Sequence, residues 1–324
     1  FKIFQCKDNK NINELIKYYN EYNIVESVKI EDIKSIKTIT DHTDYYVNSL
    51  LLLNDGRVAS CSRDKTIRIY DPSNDYHCDQ VIKRHSKGII SICQLDDGTI
   101  VSCSNDKSIM IGDYTINNAH ESWIYKVITL PNNRIASCSN DYSIKIWKSN
   151  PPYSDTPINV LKGHRYVVAS LLYIKERDVM ISGSGDDTLR LWNMSTYQCD
   201  KVIEGVRCCF INSLYQIDKD RVIVGGYKSF CVVNIDKCVI EKRIEDESLG
   251  YVFCLSPCPR LSFSVGMGLN FLFPCPHFSF SVGMRMMFFH LCFPLLQFFL
   301  LQFFLLQFFL LLRSSHLQFF LPHK

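Results

Sequence analysis

An all-β fold built from repeated four-stranded antiparallel units is predicted by three observations. The segment Ser60-Cys61-Ser62-Arg63-Asp64 recurs as Ser102-Cys103-Ser104-Asn105-Asp106, Ser137-Cys138-Ser139-Asn140-Asp141 and Ser182-Gly183-Ser184-Gly185-Asp186, each copy leading into an alternating apolar strand. The opening serines are 42, 35 and 45 residues apart, the length of a four-stranded sheet that cannot bury its own faces and must stack on neighbours. Between Ser35 and Ile217 apolar residues alternate with period two and turn residues punctuate them regularly, as in short antiparallel strands. Together these predict a β-propeller with five recognisable blades and a truncated sixth, followed by a Phe/Leu-rich C-terminal tail that is not propeller.

Each unit can be read strand by strand. In the first, Val47 to Leu53 runs to the turn Asn54-Asp55-Gly56, Arg57 to Ser62 returns, and residues 65 to 70 form a third strand. The second uses Ile89 to Leu95, Asp96-Asp97-Gly98, Thr99 to Ser104 and Lys107 to Ile111. The third uses Ile124 to Leu130, Pro131-Asn132-Asn133, Arg134 to Ser139 and Tyr142 to Trp147. A fourth unit runs from Val168 to Trp192, a weaker fifth from Ile211 to Asn234, and Gly250 to Leu255 matches an opening strand before the pattern stops. Residues 35 to 40 align with the outer strands that end before His85 and His164, so they are expected to be an outer strand whose companions are missing on the N-terminal side. Ile12, Leu15, Ile16 and Tyr19 predict a short amphipathic helix within residues 11 to 23.

Composition changes sharply along the 324 residues. All 33 acidic residues lie at or before Glu247, and 17 of the 21 phenylalanines lie at or after Phe253. The expected organisation is therefore a linker over 1–34, a propeller over 35–255 and a low-complexity apolar tail over 256–324. Residues 1 to 250 carry 32 Lys and Arg against 33 Asp and Glu, and this balance supplies no basic field for nucleic acid. Cys61, Cys103 and Cys138 occupy one repeat position, which predicts buried, reduced thiols and a cytoplasmic or nuclear compartment. No zinc-ligand spacing, nucleophile elbow or phosphate-cradling glycine loop is present, so no metal, cofactor or catalytic residue is expected.

In the tail, the heptapeptides at 261–267 and 278–284 are near-copies, and Leu-Gln-Phe-Phe-Leu recurs at 296, 301, 306 and 317. Residues beyond about 256 are expected to derive from a frameshift, a retained intron or a faulty gene boundary. The competing expectation is a membrane segment at 295–312, interrupted only by Gln297, Gln302 and Gln307.

Over residues 35 to 255 the chain resembles the WD-repeat β-propeller family, most closely at residues 163–193, where Gly163-His164 opens the unit and Trp192-Asn193 closes it. The resemblance implies a hydrogen-bonded tetrad in each blade. Complete sets are His120, Ser137, Asp141 and Trp147, and His164, Ser182, Asp186 and Trp192. Partial sets are His42, Ser60 and Asp64 with Tyr70, and His85, Ser102 and Asp106 with Gly112. In the fifth unit Val224, Lys228 and Asn234 stand at the tetrad places, so that blade is expected to be the least rigid. Four parallel copies of a His/Asp pair argue for scaffolding and against catalysis.

The resemblance also implies that the loops bearing the tetrads open onto one face where partner proteins are read. The candidates there are Tyr46, Arg63, Asn105, Trp123, Asn140, Arg165, Phe210 and Tyr251, large aromatics beside fixed charges. The expected function is a non-enzymatic protein-interaction scaffold. The alternatives are a substrate-receptor or targeting propeller of a larger protein, or a membrane-tethered propeller. For a ubiquitin-ligase receptor, the Trp-Asp-x-Arg sequence associated with that role is absent from each blade end.

Overall fold

The computed structural model describes residues 2–6, 33–42, 46–206, 208, 210–226, 229–245, 251–256, 262–264 and 279–283. The helix expected within residues 11 to 23 and the tail segment 295–312 lie outside the described residues.

Two strands precede the first blade: β1 (Lys2–Cys6) and β2 (Ile33–Thr38). Blade 1 comprises β3 (Val47–Leu52), β4 (Val58–Ser62), β5 (Ile67–Asp71) and β6 (His77–Ile82). Blade 2 comprises β7 (Ile89–Gln94), β8 (Ile100–Ser104), β9 (Ile109–Ile111) and β10 (Tyr114–Ile116). Blade 3 comprises β11 (Ile124–Leu130), β12 (Arg134–Ser139), β13 (Ile144–Lys148) and β14 (Asn159–Leu161). Blade 4 comprises β15 (Val168–Ile174), β16 (Val179–Ser184), β17 (Leu189–Asn193) and β18 (Cys199–Ile203). Blade 5 comprises β19 (Ser213–Gln216), β20 (Arg221–Gly225), β21 (Ser229–Asn234) and β22 (Val239–Glu245). Three strands follow: β23 (Tyr251–Ser256), β24 (Ser262–Ser264) and β25 (Ser279–Gly283). Each blade is a four-stranded antiparallel meander in chain order.

The turns explain why these meanders form. Gly56 and Gly98 both adopt φ +88, and Asn132 and Asn133 adopt φ +60 and +52, the left-handed region that Gly and Asn enter at least cost. The first strands of blades 1 to 4 each carry one register shift near their start, at Val47/Ser49, Ile89/Ser91, Ile124/Lys126 and Val168/Ser170. This bulge re-aims the chain where it leaves the loop face.

Blades stack by one rule. From blade 3, Ile124, Val127, Ile135 and Trp147 cross to pack on Val101, Cys103, Ile109 and Ile111 of blade 2. From blade 4, Val168, Leu171, Met180 and Trp192 pack in the same way on Ala136, Cys138, Ile144 and Ile146 of blade 3. Tyr70 fills the Trp station of blade 1 and packs on Ile39, just past β2. Each fully buried aliphatic of this kind contributes roughly 1.5–3 kcal/mol, and the small repeat cysteine lets the sheets approach. Cys61, Cys103 and Cys138 are all 0% exposed free thiols.

Two features differ from the sequence expectation. The outer strand β2 has an N-terminal companion: β1 pairs with it antiparallel and pairs on its other edge with β24. The pentapeptide of β1 carries no turn signal and its partners are remote, so nothing local announced it. In blade 5, the tetrad Trp place is Val233, not Asn234. Met180 pairs with Trp192, and its counterpart Val222 pairs with Val233. The blade 5 hairpin is one residue shorter, so counting ten residues from Val224 overshoots. Asn234 instead repeats Asn193: each side-chain oxygen accepts two backbone N–H groups of the following turn.

Candidate functional site

The loop face is assembled from the segment before each first strand and the turn between the second and third strands. A backbone bond joins the two in every one of blades 1 to 4: Arg63 N–H to Tyr46 O at 3.0 Å, Asn105 to Gly88 at 3.0 Å, Asn140 to Trp123 at 2.9 Å and Gly185 to Val167 at 2.9 Å. The residue after each turn Asp sits in the left-handed region: Lys65 at φ +71, Lys107 at +71, Tyr142 at +69 and Asp187 at +68. These side chains therefore occupy equivalent stations of one face.

Beneath it lie the His/Asp networks. His42 Nδ1 lies 2.7 Å from Asp64 Oδ2, and its Nε2 lies 2.7 Å from Ser60 Oγ. In blade 2, His85 Nδ1 is 3.1 Å from Asp106 Oδ2 and Nε2 is 2.8 Å from Ser102 Oγ. In blade 3, His120 reaches Asp141 and Ser137, both at 2.8 Å, and Trp147 Nε1 donates to Ser137 Oγ at 2.8 Å. In blade 4, His164 reaches Asp186 at 3.0 Å and Ser182 at 2.7 Å, and Trp192 Nε1 donates to Ser182 Oγ at 2.8 Å.

Protonation follows from these contacts. Burial pushes the imidazoles of His42, His120 and His164 below their ordinary value, and the facing aspartates offset this only in part. Burial alone would push the aspartates up. The hydrogen bonds outweigh it: bonds from His85 and Ser108 hold Asp106 well below the usual carboxylate range, and bonds from His120 and Ser143 do the same for Asp141. For Asp186, donors from the Arg165 backbone, Thr188 and His164 outweigh burial and hold it down at about 2. A neutral imidazole thus donates from Nδ1 to a carboxylate and accepts at Nε2 from the Ser hydroxyl, leaving Ser Oγ free to accept the indole N–H. In blades 3 and 4 all four members of the network are hydrogen-bonded, and the arrangement ties the entry loop to the hairpin.

The candidate face residues are distributed unevenly. Trp123 is 42% exposed, and Tyr166 and Tyr142, at 49% and 44%, stack with ring centroids 5.8 Å apart. Sequence reasoning passed over Tyr142 and Tyr166; their positions beside Asp141 and Val167 were the available signal. Arg63 lies over the Tyr46 ring at 5.9 Å, Asn140 Nδ2 donates to Ser122 Oγ at 3.0 Å, and the Arg165 side chain is exposed. Asn105 is half-buried at its turn. Phe210, at φ +79, meets Tyr125 edge-on with centroids 6.2 Å apart, so it packs across blades. Tyr251 begins β23, and its side chain lies outside what is described. Among the described residues no group of three or more His, Cys, Asp or Glu could hold a metal ion, and no helix is long and apolar enough to cross a membrane.

Comparison with known proteins agrees with this geometry. A family description, WD40 (WD domain, G-beta repeat), matches residues 33–71, 76–113, 114–148 and 155–193. The nuclear distribution protein nudF of Aspergillus niger is 39% identical over 83 residues, which is 25% of this chain and 18% of that protein. The nuclear distribution protein nudF 1 of Talaromyces marneffei is 41% identical over 61 residues, 19% of this chain and 13% of that protein. This chain therefore matches less than a fifth of these relatives' length. The crystal structure of the WD40 beta propeller domain of Doa1 superposes with a TM-score of 0.55 at 19% identity, covering 67% of this chain and 74% of that one. The four matched repeats, the consecutive four-stranded blades and the His/Ser/Asp/Trp networks identify residues 33–193 as WD repeats of a β-propeller.

Proposed function

We propose that this chain is a non-enzymatic scaffold that binds other proteins through the loop face of its blades. The observation that carries the reading is the composition of that face. Blades 1 and 2 present Arg63, Lys65, Lys87 and Lys107, none of them in an ion pair among the described residues. Blades 3 and 4 present Trp123, Tyr142 and Tyr166, with exposed Arg165 next to Tyr166. Unpaired cations beside a solvent-exposed aromatic cluster favour a partner segment that is acidic at one end and apolar at the other: the charges steer and the rings anchor. The tetrads hold these side chains on rigid hairpins, so little ordering cost is left to binding. Relatives whose names concern nuclear distribution support an intracellular role in such an assembly.

The test is comparative capture of partners from cell extract by the wild-type chain, by Lys65→Glu/Lys107→Glu, by Trp123→Ala/Tyr166→Ala, and by Asp55→Ala/Arg57→Ala on a different turn, with folding checked by circular dichroism. A partner held by the wild type and the last variant but lost by both face variants supports the proposal. Equal recovery by all four overturns it.

A further inference from the structure

The stacking rule leaves one station short of a side chain. Blade 2 packs Ile89, Ile92 and Ile100 on blade 1, as blade 3 packs Ile124, Val127 and Ile135 on blade 2. Where blade 3 then adds Trp147 and blade 4 adds Trp192, blade 2 has Gly112. The equivalence is geometric: Ile135 pairs with Trp147, and Gly112 N–H bonds Ile100 O at 3.1 Å. A cavity of about 700 Å³ lies there, lined among others by Ile67, Ile69 and Ile82 of blade 1 and Ser102, Met110 and Gly112 of blade 2. That volume falls in the range of roughly 300–1,000 Å³ typical of small-molecule sites, and its walls combine these apolar side chains with polar and charged ones, among them Asp55, Arg57, Gln80, Lys83, Arg84 and Asp113.

Ser102 is a buried hydrogen-bond acceptor in the wall of the cavity, 2% exposed. Its Oγ meets His85 Nε2 at 2.8 Å, as Ser137 and Ser182 meet their histidines. Those two serines also accept an indole N–H at 2.8 Å, whereas among the described residues no donor reaches Ser102 Oγ. Arg84 ties the two blades together beside the space. From the end of blade 1 it bonds Gly112 O at 2.7 Å, Asp113 Oδ1 at 2.7 Å and Asp113 O at 2.8 Å. The Gly112 turn, at φ +54, is thereby fixed against blade 1.

We propose that the space between blades 1 and 2 is a binding site for indole and small indole derivatives. The ring lies between Ile67, Ile69 and Met110, and its N–H donates to Ser102 Oγ, reproducing from outside the contact that Trp147 and Trp192 make within the chain. A cavity lined by Leu, Ile and Phe is known to take a flat aromatic guest, and the buried acceptor selects a guest that carries a donor.

The test is titration of the full chain with indole and, separately, with benzothiophene, which has the same shape but no N–H, followed by calorimetry and by the Met110 methyl resonance. Saturable one-to-one indole binding that shifts Met110, with benzothiophene about fivefold or more weaker, is the expected result. In Ser102→Ala the two ligands should bind equally, and in Ile82→Trp, whose added ring enters the cavity, both should be lost. The wild-type ligand comparison stands even if neither variant folds. Absence of saturable indole binding, or benzothiophene binding as tightly as indole, overturns the proposal.

Discussion

Trp192 donates its indole N–H to Ser182 Oγ at 2.8 Å while its ring packs on the preceding blade, so one side chain closes a network within its own sheet and fills the seam to the next. These two contributions can be separated. Trp192→Phe keeps most of the apolar contact and removes the donor, and should lower unfolding free energy by about 1 kcal/mol. Trp192→Ala also opens a cavity and should cost about 3–5 kcal/mol. Urea denaturation of both variants checks this; equal losses would show that the bond contributes nothing.

Stability should fall on acidification in two stages. The folded-state values of His42, His120 and His164 are depressed. An unfolded chain therefore binds protons on these groups below pH 6.5 while the folded chain does not. Their contribution is complete above about pH 6.5 and is lost progressively below it. Asp64, Asp106, Asp141 and Asp186 are also depressed, so their contribution is present above the ordinary carboxylate value of 3.8 and is lost as pH falls towards the folded value, about 2 for Asp186. Thermal melts from pH 8 to pH 3 should show a decline beginning near pH 6.5 and steepening below pH 4. A melting temperature that is flat between pH 7 and pH 5 would contradict buried neutral imidazoles.

What the sequence could reveal was whatever repeats. The recurrence of Ser and Asp around Ser60, Ser102, Ser137 and Ser182 located the hairpins, and the histidines 17 to 22 residues from their partners identified the networks. Fixed offsets failed where the spacing itself changed: in blade 5 the shorter hairpin puts Val233 at the seam and turns Asn234 into a turn cap. The meaning of Gly112 was hidden for another reason. A missing side chain has a consequence only against the opposing surface of Ile67 and Ile69, which belongs to a different repeat. The aromatic cluster around Tyr142 and Tyr166 likewise needs two blades to exist.

Blade 5 should open most readily among the five. It places Val224 and Val233 where blade 4 has Ser182 and Trp192, so it has no indole-to-hydroxyl bond, and Cys208 and Cys231 meet as free thiols 3.6 Å apart in its core. At its seam apolar packing stands in place of the indole-to-hydroxyl bond that ties blade 4 against local opening. In hydrogen exchange followed by mass spectrometry, peptides covering β20 and β21 should exchange at least about tenfold faster than those covering β16 and β17. Equal protection would mean that stacking alone sets blade rigidity.

The carboxylate of Asp141 is used completely, and this makes an isosteric amide a poor substitute. Oδ2 accepts from His120 Nδ1 at 2.8 Å and from Glu121 N–H at 3.0 Å, while Oδ1 accepts from Ser143 N–H at 3.0 Å and from its hydroxyl at 2.6 Å. Asn supplies one acceptor oxygen and one donating NH₂, so whichever way it is turned two donors face each other in a site only 8% exposed. Asp141→Asn should therefore destabilise by about 3 kcal/mol, close to Asp141→Ala, because a buried bonded charge is lost and its donors are left unmatched. The damage should be local first: the Glu121 and Asn140 amides, which anchor Trp123 to the face, should lose exchange protection before blade 4 does. If Asp141→Asn melted like the wild type, the negative charge would have no structural role, and the acid sensitivity derived from these aspartates would need another source.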